Sequence, residues 1–209
     1  MIHFIKEACV GNLQEAINAE KKGADRIELC ANLEVGGTTP SKKLIAEAFQ
    51  KLSIPIRVMI RPRGGDFHYQ EEEVTLMKNS IEYCKEIGVE AVVFGLLRVD
   101  HSIDIEKTAE LTRFAQPLKV VIHKAIDATP DPIEALRELT ALEGITTVLT
   151  SGGKPTAQEG RKNLKKMIEI AGDRFEVMPG GKVTDKNVQE LHQYLQASAY
   201  HGKRIVGEL

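Results

Sequence analysis

Two short segments place a carboxylate and a thiol two residues apart: Glu7-Ala8-Cys9 and Glu28-Leu29-Cys30. Each segment stands at the end of a predicted strand, and side chains two residues apart in a strand point to the same face. If the two strands are parallel neighbours, two glutamates and two thiols meet in one small volume. Acidic and soft ligand groups brought together at a strand end are typical of a functional site.

These groups allow two kinds of chemistry. Thiolates at Cys9 and Cys30 suit Cu(I), a soft ion that prefers sulfur ligands. Alternatively, Glu7, Glu28 and His123 act as catalytic residues in proton transfer, while nearby groups hold an anionic substrate. The three cysteines lack CxxC spacing and the five methionines are scattered. The residues by themselves therefore favour the second chemistry over copper binding.

Further polar residues follow the other predicted strands. An arginine at a strand end beside glycines suits a carboxylate or phosphate, and glycine-rich turns expose backbone N–H groups. His123 ends an apolar strand, and His201 ends the last predicted strand. The predicted anion-binding residues are Arg61, Arg63, Ser151, Gly152, Gly180 and Gly181.

Each of these residues also has a structural interpretation. The two glutamates pair with Arg26, Arg57 or Arg61 in that interpretation, and His123 is a core histidine. The arginines brace a loop, and the glycines serve turn geometry alone. An unpaired glutamate is costly to bury in an apolar strand, which favours a functional role for the acidic pair.

Short apolar runs alternate with longer amphipathic stretches along the whole chain, at the spacing of βα units. Helix N-caps are predicted at Asn12, Ser41, Asp131 and Thr184, each followed by apolar residues at helical spacing. The predicted strands lie near residues 2–9, 25–30, 55–61, 90–95, 118–123, 145–150, 174–178 and 197–201.

This pattern predicts an α/β protein, a (β/α)8 TIM barrel that forms a single domain over residues 1–209. An open, doubly wound sheet is the alternative. Only eight residues follow His201, so we predict that the eighth helix is incomplete. In both architectures ligands bind at the carboxyl ends of the strands, where the polar residues named above are concentrated.

Composition excludes several classes of function. The formal net charge of −2 argues against binding to nucleic acid or to an anionic membrane surface. We expect no membrane segment and no signal peptide, since no apolar run reaches 18 residues. Three cysteines in this spacing do not suggest a disulfide framework, and a reducing cytoplasm is the expected location.

Seven segments spread over nearly the whole chain resemble the CutC family, which is named for copper homeostasis. They are EAC (7–9), GADRIELC (23–30), GGTTPS (36–41), IRPRGGDF (60–67), HKAID (123–127), LTSG (149–152) and MPGG (178–181). The resemblance implies a cytoplasmic TIM barrel that takes part in copper homeostasis, with copper as Cu(I) bound through Cys9 and Cys30. It also implies a homo-oligomer. The alternative is an enzyme for a small anionic or phosphorylated substrate, with an indirect effect on copper tolerance.

The chain departs from the family pattern at two internal positions. Asp100-His101-Ser102 stands where the family usually has Asp-Gly, so we expect a different loop after the fourth strand. Lys182 replaces a small residue after the MPGG segment. This lysine adds a cation close to the predicted anion-binding glycines.

Overall fold

Eight parallel strands form the centre of the molecule in this computed structural model, which describes residues 4–209. The strands are β1 (Ile5–Val10), β2 (Arg26–Leu29), β3 (Ile56–Met59), β4 (Ala91–Phe94), β5 (Lys119–Ile122), β6 (Ile145–Thr150), β7 (Glu176–Pro179) and β8 (Ala199–Gly202). They pair in the order β7-β6-β5-β4-β3-β2-β1-β8, and β7 also contacts β8. The sheet is therefore a nearly closed barrel, which confirms the TIM barrel over the open sheet. The first two residues of the predicted strand 2–9 lie outside the described residues.

Seven α-helices alternate with the strands. They are α1 (Leu13–Lys21), α2 (Lys42–Lys51), α3 (Glu71–Ile87), α4 (Ile105–Ala115), α5 (Pro132–Leu139), α6 (Arg161–Ala171) and α7 (Val188–Leu195). Two short 3-10 helices, Leu33–Val35 and Lys124–Ala128, follow β2 and β5. In the described chain no helix follows β8, in agreement with the predicted incomplete eighth helix. None of the helices among residues 4–209 combines the length and the apolar character needed to cross a membrane.

Side-chain caps start three of the helices where the sequence predicts them. Asn12, Ser41 and Asp131 each accept a hydrogen bond from a backbone N–H in the first turn of α1, α2 and α5. The predicted cap at Thr184 is wrong, because α7 begins only at Val188. Thr184 instead precedes a turn, and its carbonyl accepts the Val188 N–H.

Alternation along the strands divides the apolar side chains between two cores. The larger core lies between the strands and the helices and contains outward-facing residues such as Ile27 and Val92. The smaller core fills the inside of the barrel, with Cys30, Met59 and Val121 among its members. The residues that alternate with the larger core therefore face the barrel interior, and this set includes both glutamates and both thiols of the Glu-x-Cys segments.

Candidate functional site

The two Glu-x-Cys segments meet on neighbouring strands. In the sheet register Cys9 of β1 pairs with Glu28 of β2, and Glu7 pairs with His201 of β8. One ligand atom from each of Cys9, Glu28 and Cys30 lies within 4.8 Å of the other two. The same holds for Glu7, Glu28 and His201. Two carboxyl groups, two thiols and an imidazole thus share a small volume inside the barrel.

Glu7 is fully buried and is the anion at the centre of an ionic cluster. Its carboxylate accepts hydrogen bonds from Arg26 Nε at 2.6 Å and His201 Nδ1 at 2.8 Å, and Arg57 Nη1 lies 3.1 Å away. Burial by itself would raise the pKa of Glu7, but the hydrogen bond from His201 and the charge of Arg57 outweigh it. The pKa of Glu7 is held at about 2. Glu7 is therefore ionised, and it positions His201.

Glu28 has the opposite electrostatic character. Its Oε2 accepts a hydrogen bond from Cys30 Sγ at 3.5 Å and lies 3.7 Å from His201 Nε2, while its buried Oε1 has no hydrogen-bond partner. Burial raises the pKa of Glu28 to about 8, although the charge of His201 opposes the rise. The raised pKa favours the protonated form of this carboxyl group at neutral pH.

The two thiols have pKa values shifted in opposite directions. The neighbouring Cys30 thiol lowers the pKa of Cys9 well below its ordinary value, with a further contribution from His201, although burial opposes it. The same contact with Cys9, together with burial, raises the pKa of the Cys30 thiol. Burial alone would lower the pKa of His201, but its interaction with the Glu28 carboxyl group and hydrogen bonds to Cys9 and Glu7 raise it. These shifts favour the deprotonated form of Cys9 and the protonated form of His201.

A cavity of about 370 Å³ opens at the carboxyl ends of the strands. This volume is in the range of small-molecule sites. Four of the predicted site residues line it, while Cys30 and Glu7 are not among its lining residues. The polar lining consists of Cys9, Glu28, Arg61, His123, Lys124 and His201, and the apolar lining includes Met59, Phe67 and Leu149.

His123 lines the cavity in its neutral form. Its Nδ1 accepts the backbone N–H of Ala125 at 3.2 Å, which leaves the proton on Nε2, and Nε2 is buried without a partner. Burial, together with the charge of Arg61, lowers the pKa of His123 to about 3. A neutral imidazole with an unused N–H is a hydrogen-bond donor, so the structure favours ligand positioning over proton transfer for this residue.

Arg61 and Arg63, although two residues apart, have different surroundings. Arg61 is buried in the cavity wall, where Nη1 donates to the Val35 and Gly37 carbonyls, both at 3.0 Å. Arg63 is not a lining residue. Its side chain is 39% exposed, and its Nε donates to Glu73 at 2.6 Å. The structure thus separates Arg63 from the predicted anion site, because Glu73 in the first turn of α3 holds its guanidinium.

The glycine-rich loop after β6 binds an anion from the protein itself. The carboxylate of Asp127 accepts the backbone N–H groups of Ser151 at 2.9 Å and Gly153 at 2.8 Å. The Gly152 N–H donates to the Thr150 hydroxyl. In this loop Asp127 therefore takes the place predicted for a substrate anion, and Ser151 and Gly152 do not line the cavity.

Gly180 and Gly181, which follow β7, allow this loop to pack closely against its neighbours after β5 and β6. The Gly180 N–H donates to the Thr150 carbonyl at 2.9 Å. Gly181 has a φ of +96°, and a Cβ there would lie 3.0 Å from Ser151 Cβ and 3.5 Å from Lys124 Nζ. A side chain at position 181 is therefore unfavourable for both conformation and space. Neither glycine lines the cavity.

Sequence reasoning did not select His201 and Lys124 as site residues, yet both line the cavity. His201 contacts Glu7 across 194 positions of sequence. Lys124 Nζ donates to Ser151 Oγ at 2.6 Å and lies 3.0 Å from Asp127. The available signal was their position at or just after a predicted strand end, which is where a TIM barrel binds its ligands.

Comparison with known proteins identifies the relatives of this barrel. The model of the CutC family matches residues 4–206. This chain belongs to the CutC family. The human protein named copper homeostasis protein cutC homolog is 45% identical over 198 residues, which are 95% of this chain and 72% of the human one. The CutC family protein of Glaesserella parasuis serovar 5 is 40% identical over 93% of this chain and 80% of its own.

Solved structures agree with this assignment. The CutC protein of Streptococcus agalactiae superposes with a TM-score of 0.91 at 38% identity, over 97% of this chain and 100% of that one. Dihydrodipicolinate synthase from Aquifex aeolicus superposes with a TM-score of 0.68 at 13% identity, over 96% of this chain and 69% of that one. At that identity the second match shows a shared fold only.

Proposed function

We propose that this protein takes part in copper homeostasis by binding Cu(I) in the cytoplasm through the thiolates of Cys9 and Cys30. The observation that carries the proposal is the position of the two sulfur atoms on adjacent strands, within 4.8 Å of each other and of the Glu28 carboxyl group. Thiolates are the ligands that Cu(I) prefers. The name of the human relative, copper homeostasis protein cutC homolog, supports the same role.

Both thiols are free, and each has a neighbour suited to this role. Cys9 lines the cavity and has His201 beside it, which favours its thiolate form. Cys30 is buried and is not among the residues that line the cavity. Cys30 would have to lose its proton for both sulfurs to bind Cu(I), so binding would release a proton to solvent.

A Cu(I) competition titration under anaerobic, reducing conditions tests this proposal. Wild-type protein should bind one Cu(I), and the variant Cys9→Ser/Cys30→Ser should lose that binding. Cys84→Ser is the matched control, because Cys84 is the third free thiol and is buried on α3 between helix and barrel. Equal affinity in the double variant and the wild type would refute the thiol site.

A second candidate function is an enzyme for a small anionic or phosphorylated substrate. The observation that favours it is the unpartnered Oε1 of Glu28 in a cavity that also contains the Arg61 guanidinium. In this proposal Glu28 and His201 exchange protons with the substrate, Glu7 positions His201, and His123 donates a hydrogen bond. The separation of the pKa values of the two glutamates, about 2 for Glu7 and about 8 for Glu28, is typical of acid–base sites.

The enzyme candidate is tested on metal-free protein in which Cys9 and Cys30 are both serine. Proton NMR measures the turnover of a panel of small carboxylic acids and phosphate esters. Turnover that the thiol variant retains and an added Glu28→Gln loses would support the enzyme. Turnover that survives Glu28→Gln would refute the assigned proton-transfer role.

The family also predicts a homo-oligomer. The protomer mass is 23.1 kDa. Light scattering on purified protein should therefore give a mass that is a multiple of this value. A mass of one protomer at working concentration would contradict the prediction.

A further inference from the structure

Three arginines are buried among the described residues, and they differ in their partners. Arg26, Arg57 and Arg61 are 5%, 3% and 4% exposed. Arg26 pairs with Glu7 and Glu176, and Arg57 pairs with Glu7 and Glu90. Within residues 4–209, Arg61 forms no ion pair, and its partners are backbone carbonyls. A buried guanidinium without a carboxylate is electrostatically costly, so the charge of Arg61 is available to an anion from outside the chain.

The geometry around Arg61 holds the guanidinium in one orientation. Nη1 donates to the carbonyls of Val35 and Gly37, and Nη2 donates to Gly65 at 2.8 Å. The ring of Phe67 lies against the guanidinium, and its centre is 4.8 Å from the guanidinium carbon, Cζ. Nε is buried and has no hydrogen-bond partner. A fixed, incompletely bonded guanidinium in a cavity wall is preorganised for a planar or tetrahedral oxyanion.

The other cations of the cavity are already neutralised. Lys124 lies 3.0 Å from Asp127, and His201 lies 2.8 Å from Glu7. Arg61 is thus the lining cation that lacks a carboxylate in the described part of the chain. His123 lines the same wall, with its ring 5.0 Å from that of Phe67 and its Nε2 unpartnered. The cavity therefore combines one uncompensated positive charge with a neutral N–H donor.

We propose that Arg61 is the anion-binding subsite of the cavity and holds the carboxylate or phosphate group of a small ligand. The proposal deepens the enzyme candidate, because it names the group that recognises the substrate. It does not depend on copper, since neither thiol contributes to the subsite. The contrasting interpretation is that Arg61 only ties together the loops that contain Val35 and Gly65.

Binding of inorganic phosphate and of acetate to metal-free protein separates these interpretations. Affinity is measured by calorimetry for wild type, Arg61→Lys and Arg63→Lys. Loss of the guanidinium fork should weaken binding by about tenfold or more in Arg61→Lys. Arg63→Lys is the matched control, because it makes the same change two residues away on an arginine already paired with Glu73, and it should change affinity less than about twofold.

The two probes also identify the class of ligand. Binding of phosphate alone indicates a phosphorylated ligand, and binding of acetate alone indicates a carboxylic acid; both results support the subsite. No binding of either probe to wild type, or equal losses in the two lysine variants, would overturn it. Calorimetry does not depend on turnover. Binding without catalysis would therefore support the Arg61 subsite and refute only the enzyme candidate.

A second measurement keeps the test independent of any effect of Arg61→Lys on folding. Crystals of wild-type protein are soaked with tungstate, a tetrahedral dianion that is located by its anomalous scattering. The proposal predicts tungstate in the cavity within hydrogen-bond distance of the Arg61 guanidinium. Tungstate found only on the outer surface would overturn it.

Discussion

Replacing Glu7 by glutamine should destabilise the barrel strongly. The carboxylate is fully buried and lies within 3.1 Å of Arg57 Nη1, with Arg26 and His201 closer still. Glutamine keeps the shape of the side chain but removes the charge, and the loss of one partner from a buried ion pair costs about 3–5 kcal/mol. The pKa of Glu7, about 2 against an ordinary 4.5, corresponds to about 3 kcal/mol. We therefore expect a loss of about 3 kcal/mol, at the lower end because Arg26 and Arg57 each keep a second glutamate.

Urea unfolding at several pH values measures this loss. A carboxyl group whose pKa is lowered on folding stabilises the protein above its ordinary pKa of 4.5, and this stabilisation is lost as the pH falls towards 2. The difference between wild type and Glu7→Gln should be complete at pH 7 and should shrink below pH 4.5. Glu47→Gln is the control, because Glu47 pairs with Lys43 on the surface, and it should cost less than about 0.5 kcal/mol. Equal losses in both variants would refute the reasoning.

Two further predictions concern His123 and the turn before α6. The pKa of His123, about 3 against an ordinary 6.5, implies that its ring stays neutral in the folded protein from pH 8 to pH 5. Stability linked to His123 is complete above pH 6.5 and falls as the pH drops towards 3. NMR of the imidazole nitrogens checks this, and protonation above pH 5 would contradict it. Gly160→Ala should lower stability by at least about 3 kcal/mol in thermal unfolding, because a Cβ there would lie 1.8 Å from the Ser151 carbonyl oxygen. A variant as stable as wild type would contradict this packing.

The barrel could be predicted because most of its strands are short and mainly apolar and lie between amphipathic helices. The strand predicted near residues 118–123 is observed as Lys119–Ile122, and the one predicted at 145–150 has exactly those bounds. Strands buried on both faces have this signature in the sequence. Thr184 shows the limit of local signals, because it is followed by apolar residues at helical spacing, yet the helix starts four residues later.

The convergence of the two Glu-x-Cys segments could also be predicted, since it depends only on strand alternation and on parallel neighbours. The charge state of the site could not be predicted from the sequence. The sequence around Arg26, Arg57 and Arg61 does not distinguish them. They differ in their ion pairs, which depend on glutamates from distant strands. Glu176 reaches Arg26 across 150 positions of sequence.

The glycine loop after β6 shows the same limit. Its sequence is suited to an anion, and the structure places an anion there, the carboxylate of Asp127. Asp127 lies 24 positions before Ser151, in a 3-10 helix after β5. No spacing rule connects the two positions, because their contact depends on the closeness of two adjacent strand ends.

X-ray absorption at the copper K-edge tests directly whether Cys9 and Cys30 bind Cu(I). Protein loaded anaerobically with one equivalent of Cu(I) should show two sulfur scatterers bound to the copper, and Cys9→Ser/Cys30→Ser should show none. Cys84→Ser should give the same two-sulfur spectrum as the wild type. A wild-type spectrum with only oxygen or nitrogen ligands would contradict the assignment of Cys9 and Cys30 as the copper-binding pair.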